Sequence, residues 1–460
     1  MIKNILSIVL LSIAFFSCNS EDNAIEEDYF DISERANSGG TTTIFSTTTN
    51  AFSSPAPNLS ASDLSNHFVG DLLFEDSFVT APAEVNPGLG PLMNNSACIN
   101  CHPRDGRAKH PTNINSANGL LVRASIPGMD EHGGPMPVPG FGLQIQNRAI
   151  SGYAFEATYQ VTYTEKSETL SDGRVVVLRK PIVTLSNPYI SLPSGIMLST
   201  RLGTPIFGLG LLEEIPEANI LALQDINDAD GDGISGKANY VWDPTTNQTV
   251  LGRFGWKANT GTIIVQCASA YVEDMGITSP FFMNETGHGQ SNGSDGINDD
   301  PEISMQTLQE IALYCKTLAV PGARNLTNPN VKNGAKIFDQ IDCVKCHVPK
   351  QVTGNTEITA LSNQKFFPYT DLLLHDMGED LADNRPDFLA SGTEWKTRPL
   401  WGIGLTNLVN GHTDFLHDGR AKNVEEAILW HGGEAKNAKE NYKKLTTQQR
   451  SDLLLFINSL

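Results

Sequence analysis

The chain is poor in positive charge. Its 460 residues carry 32 Lys and Arg against 52 Asp and Glu, a net charge of −20. That balance argues against nucleic acid and anionic lipid as partners, because both repel an acidic surface. It is compatible with a cationic electron-transfer partner. Long apolar runs are lacking as well: after residues 5–16, no stretch is long enough to cross a bilayer as a helix. Cysteine is scarce, with seven in all, and five of them have an evident use. The other two, Cys267 and Cys315, either pair, contributing about 2–4 kcal/mol, or stay as buried thiols.

What is present is dominated by two short strings, Cys98-Ile99-Asn100-Cys101-His102 and Cys343-Val344-Lys345-Cys346-His347. Both read C-x-x-C-H, the attachment pattern of c-type haem. Thiols at i and i+3 reach two vinyl groups on one porphyrin edge, and the adjacent imidazole turns beneath the ring as proximal iron ligand. Chance would supply one such string roughly 0.002 times in a chain of this composition. Dithiol redox motifs need no His after the second Cys, and a zinc site would have to join pairs from distant parts of the chain. The pattern therefore predicts two covalently bound c-type haems.

The N-terminus reads as an export signal, with Lys3 before a short apolar segment at residues 5–16. Phe15-Phe16-Ser17-Cys18 resembles a lipobox. Residues 1–17 are then a lipoprotein signal peptide, and lipid on Cys18 anchors the protein to a membrane surface facing the periplasm or the cell exterior. Residues 18–60 are polar and without periodicity and read as a flexible tether. Each C-x-x-C-H string follows a G-x-x-x-F helix (Gly70 and Phe74; Gly334 and Phe338), and each half closes on an amphipathic helix. The first closing helix carries Leu308, Ile311, Cys315 and Leu318. The second carries Leu453, Phe456, Ile457 and Leu460, with Thr446 or Thr447 as its cap. That order predicts a mainly α protein of two cytochrome c-like domains, 61–318 and 325–460. Pro321, Gly322 and Pro329 mark a boundary near 316–330. The first domain is enlarged by insertions, among them a β-hairpin or small sheet near 155–192 around the Asp172-Gly173 turn.

Three further features bear on chemistry. Asp228, Asp230 and Asp232 at positions 1, 3 and 5 of a loop, Gly233 at 6 and Ile234 at 7 read as the start of a calcium loop, although position 12 is Asn239 rather than Glu. Met377 is the only methionine after the second string and the first choice for a sixth ligand on that iron, with His375 and His417 as alternatives. The first iron has no single candidate, since His110, Met129, Glu131, His132 and Met136 all follow in a Gly/Pro-rich stretch suited to a mobile loop. Finally, His417-Asp418-Gly419-Arg420 precedes a helical pattern and suits either pinning a haem propionate through Arg420 or orienting an imidazole.

These strings together resemble the di-haem oxidoreductase family of bacterial c-type cytochromes, also labelled thiol oxidoreductases and related to di-haem cytochrome c peroxidases. The likeness runs from about residue 65 to 460. It includes Arg253-Phe254-Gly255-Trp256-Lys257-Ala258, Leu374-His375-Asp376-Met377-Gly378, Pro399-Leu400-Trp401-Gly402 and the His431-Gly432-Gly433 segment. The resemblance implies two covalent haems and redox function outside the cytoplasm. Electrons from a donor protein, such as a small cytochrome or cupredoxin, enter at the C-terminal haem. Peroxidase-like chemistry on a small-molecule oxidant or substrate occurs at the N-terminal one, with Trp256, Trp395 or Trp401 as a relay. The alternative is a non-catalytic electron-transfer cytochrome tethered to the membrane.

Overall fold

The computed structural model describes residues 32–111 and 119–460. The signal segment and Cys18 lie outside the described residues.

Two helix pairs organise the chain, and each is capped by its own sequence. Ala61–Glu75 starts at Ser60, whose hydroxyl accepts from the Asp63 N–H, and crosses Met305–Thr317, capped in the same way by Ser304. Pro329–Gln340 starts at Asn328 with Pro in its first turn, and crosses Thr447–Ile457, where Thr446 and Gln449 form a capping box. The G-x-x-x-F glycines let the pairs close. A Cβ on Gly70 would stand 2.4 Å from the Glu310 carbonyl oxygen, and one on Gly334 would stand 2.0 Å from that of Asp452. One turn later Phe74 meets Tyr314 at 5.3 Å and Phe338 meets Phe456 at 5.4 Å between ring centroids. Backbone contact at a crossing of this kind admits only glycine.

The expected mainly α fold is not what forms. Helix accounts for 29% and strand for 20%, and the described residues contain one three-stranded and six two-stranded sheets. The β-branched, alternating segments between the first C-x-x-C-H turn and its closing helix are the reason. Thr158–Thr169 and Val175–Ser186 form the hairpin expected near 155–192, in register from Thr158 opposite Ser186 to Thr169 opposite Val175. Leu120–Met129 sits between Pro135–Met136 and Met197–Leu202, over a separate core of Val122, Ala124, Phe141, Tyr159 and Leu202.

Nor do the described residues divide into two cytochrome c-like domains, because Ile32–Leu460 is one compact unit. At the expected boundary, Val320–Pro321 pairs in parallel with Thr43–Ile44. That pairing also removes residues 32–60 from the expected tether. Ile32 and Phe52 are fully buried, and Phe52 joins the main core with Phe207 and Trp401. A few apolar side chains among the Ser and Thr are enough to anchor this segment. Among the described residues no helix is long and apolar enough to cross a membrane.

Candidate functional site

Both C-x-x-C-H strings fold as a single tight turn ending at the histidine, Cys98–Cys101 helical and Cys343–Lys345 a 3₁₀ turn. His102 Nδ1 lies 2.7 Å from the Thr204 carbonyl oxygen and His347 Nδ1 3.0 Å from that of Tyr369. A carbonyl can only accept, so Nδ1 carries the proton and Nε2 keeps its lone pair. Burial lowers the pKa of both rings, that of His347 to about 4, which holds them neutral as metal ligation requires. The Phe74 and Phe338 rings stand 6.2 and 6.3 Å from them. Burial pushes the Cys101 and Cys343 thiols up to about 12 and raises Cys98 and Cys346 as well. These are not the lowered thiols of a dithiol redox centre. Backbone strain gathers at the turns: Arg104, Asp105, Asp342 and Tyr369 all have left-handed φ, between 53° and 68°. Two thiols and one free Nε2 per turn fit the covalent attachment and proximal ligation of a haem.

The surroundings of the turns differ. Cys98 packs into the main core, close enough to Cys267 for burial and that neighbour to raise its pKa. Cys267 and Cys315 are free thiols; a hydrogen bond with Cys267, then burial, pushes Cys315 well up. The second turn instead opens on a cavity of about 270 Å³, lined by Cys343, Cys346, His347, Met377, His417 and His431 among others.

Met377 reaches this cavity just past the strand Leu374–Asp376. His375 lines it too, but Nε2 is 2.8 Å from Asp371 and Nδ1 is 2.7 Å from Glu434. Burial disfavours charge on the ring, yet the two carboxylates outweigh it and hold the pKa well above the usual value. An imidazolium with both N–H groups donating offers iron no lone pair. His417 stacks on Trp395 at 3.9 Å and 11° and meets Trp256 edge-on at 6.3 Å; burial lowers it to about 4. His431 was legible in the sequence only as part of a His-Gly-Gly string. Its Nδ1 lies 2.7 Å from the Ala427 carbonyl oxygen, the same commitment that frees Nε2 in His102 and His347. Its place four residues after Ala427, at the end of the helix Val424–Trp430, is the signal that could have found it.

A family model described as "Di-haem oxidoreductase, putative peroxidase" matches residues 32–460. The chain belongs to this di-haem oxidoreductase family. Comparison with the curated proteins and with the solved structures returns no match. Family membership implies haem as the cofactor, which the two turns fit.

In this di-haem oxidoreductase a three-residue segment ties the first turn to the cavity of the second. The Leu202 N–H donates to the His417 carbonyl at 2.7 Å, Trp256 Nε1 donates to the Leu202 carbonyl at 2.9 Å, and Thr204 holds His102. Trp256 is thus tied to the segment that holds His102; Trp256, Trp395 and Trp401 all line the cavity, and Trp401 also packs on Phe207 and Phe366 in the main core. Leu416, before His417, has φ 67°, another strained position at the site.

Other expected residues stand elsewhere. Met129, Glu131 and His132 are exposed, and His132 stacks on Trp242 at 4.0 Å. The expected mobile loop is a paired strand, Leu120–Met129 against Pro135–Met136. Met136 is half-buried, and of the five candidates only His110 is buried, 3.3 Å from the Tyr163 hydroxyl. Arg420 is not free for a propionate: it grips Asp418 with Nε at 3.0 Å and Nη2 at 2.7 Å, and donates to the Asp380 carbonyl. In the acidic loop the carboxylates that cluster are Asp225, Asp228 and Asp230, within 4.8 Å of one another. Asp232 turns instead to Lys345 of the second haem turn, at 2.8 Å.

Proposed function

We propose that this protein is an exported di-haem oxidoreductase with two covalent c-type haems, one on Cys98, Cys101 and His102 and one on Cys343, Cys346 and His347. The observation that carries the reading is the repeated commitment of the proximal Nδ1 to a backbone carbonyl within a C-x-x-C-H turn. Haem supplies one-electron chemistry; the chain's own residues bind it, orient the imidazoles and exclude water. Electrons from a donor such as a small cytochrome or cupredoxin enter at the second haem, whose cavity offers two strong sixth ligands, Met377 and His431. Peroxidase-like chemistry takes place at the first. Trp256 serves as the bridge between them, being hydrogen-bonded to the segment that holds His102 while lining the second cavity.

The test is the electron paramagnetic resonance spectrum of the oxidised protein together with peroxide turnover. A high-spin ferric signal from one haem with measurable turnover supports the enzyme. Two low-spin six-coordinate irons in every redox state and no turnover would show the second reading, a non-catalytic electron-transfer cytochrome, which the surplus of buried neutral imidazoles favours. The thioether-to-iron charge-transfer band of the oxidised protein separates Met377 from His431 as ligand.

We further propose calcium at the acidic loop, held by Asp225, Asp228 and Asp230 rather than by Asp232. Dialysis against a chelator should lower the melting temperature, and unchanged calcium content and melting temperature would rule the site out. Lipidation of Cys18, which mass spectrometry of the membrane fraction tests, would tether the protein at a membrane surface.

A further inference from the structure

Positive charge collects at the second cavity, with Arg107 and Lys396 buried and Arg398 half-buried. Arg107, Lys396 and Arg398 all line it. Lys396 Nζ donates to the Arg253 carbonyl at 2.6 Å and Arg107 Nη1 to that of Leu416 at 3.1 Å. The Arg398 guanidinium makes no hydrogen bond or ion pair among the described residues and lies 5.1 Å from the Trp256 ring centroid; the Arg107 guanidinium lies 5.5 Å from the same centroid. No described carboxylate comes within ion-pair reach of these three cations. Asp414 acts on Arg107 from farther off and is itself committed to the His110 N–H at 3.0 Å.

Arg107 and Lys396 are exceptions among the buried cations, since the others have a carboxylate: Lys257 with Asp383 at 2.7 Å, Arg201 with Asp387 at 2.6 Å, Arg420 with Asp418 at 2.7 Å. The half-buried Arg398 shares its lack of a carboxylate with the half-buried Arg253, which donates to the Leu212 carbonyl. An uncompensated buried charge is costly, and proteins keep one only where something pairs with it. Burial, then mutual repulsion, pulls Arg107 down to about 9, and burial pulls Arg398 down to about 10. A planar guanidinium fork matches a carboxylate in two parallel hydrogen bonds.

We propose that Arg107 and Arg398 form a carboxylate clamp at the Trp256 wall of the cavity, with Lys396 as a supporting cation. The clamp rests on the reading that a haem is attached at Cys343 and Cys346. The carboxylates come either from the propionates of that haem or from a small free carboxylate. By balancing the two guanidiniums, a bound carboxylate also relieves the cationic field over the Trp256 indole, which otherwise opposes loss of an electron from it.

The experiment is a spectroelectrochemical titration of the holoprotein, its haem content first counted at two per chain, in wild type, Arg107→Gln, Arg398→Gln and Arg398→Lys. Removing a buried cation beside the haem disfavours reduction, so the Gln variants should lower the reduction equilibrium constant of one haem tenfold or more, about 59 mV for one electron. Arg398→Lys, which keeps the charge and loses the fork, should fall less and remains measurable if the Gln chains do not mature. Lowered potentials in the Gln variants together with a wild-type potential indifferent to added acetate assign the clamp to the propionates. A potential or spectrum that titrates with acetate, with the response lost in the Arg398 variants, assigns it to a free carboxylate. Potentials unchanged within twofold in every variant, with no acetate response in wild type, overturn the clamp while leaving the haem reading intact. A chain without the second haem overturns that reading and the clamp with it.

Discussion

The first C-x-x-C-H turn packs against the main core beside two further thiols, while the second faces a cavity lined by imidazoles, indoles and unpaired cations. Yet the approach to each is the same: a capped helix, a glycine crossing, a phenylalanine set about 6 Å from the proximal ring. The difference teaches where redox individuality resides. The attachment unit is local and repeatable, whereas the electrostatic and ligand environment is assembled from remote segments. The thiols and the imidazole are placed alike in the two five-residue strings, so their roles depend on what the rest of the chain brings.

The largest effect is expected from Cys343→Ala with Cys346→Ala, or from Cys98→Ala with Cys101→Ala, each of which should leave one covalent haem per chain by haemochrome assay and intact mass. Two haems retained would show that covalent attachment does not use these thiols. Next, Gly334→Ala and Gly70→Ala put a methyl against backbone that cannot yield, and overpacking of this kind typically costs about 1–3 kcal/mol. Gly334 should suffer more, since its clash is 2.0 Å against 2.4 Å. Thermal unfolding of both variants would expose a reversed order.

One pH effect belongs to the first half. Burial raises the Glu156 carboxyl from an ordinary 4.5 to about 8. The folded state thus holds this proton where the unfolded chain releases it. Its contribution to stability is full below about pH 4.5 and is lost as pH rises towards about 8. Glu156→Gln should flatten the fall in melting temperature over that window, and an unchanged slope would remove Glu156 as its source. The smallest effect is expected from Lys345→Ala, which breaks a partly exposed pair with Asp232; such pairs contribute under about 1 kcal/mol. A larger loss by denaturant titration would mean that the acidic loop supports the second haem turn.

Much of the site was legible before the fold. The C-x-x-C-H strings, the G-x-x-x-F helices, the Asp172-Gly173 hairpin and the Thr446 cap are short-range patterns, each set by chemistry within a few residues. Legibility failed where sequence neighbours part company. His375 and Met377 are two residues apart on one strand, but Asp371 and Glu434 take both nitrogens of the histidine. Arg420 looked free for an anion until Asp418 closed on it, while Arg107 and Arg398, unremarkable in sequence, converge on Trp256 from segments almost 300 residues apart. Asp225 displaced Asp232 in the acidic cluster because Lys345 claimed the latter.

The amino-acid sequence alone carried the two C-x-x-C-H patterns, the family likeness that implies haem and the acidic balance of the chain, because those depend on residue type and short spacing. Only the tertiary structure decided that the halves form one body, that strands take a fifth of the chain, and which imidazoles keep a free lone pair. Those outcomes rest on burial and on hydrogen-bond partners contributed from far along the chain.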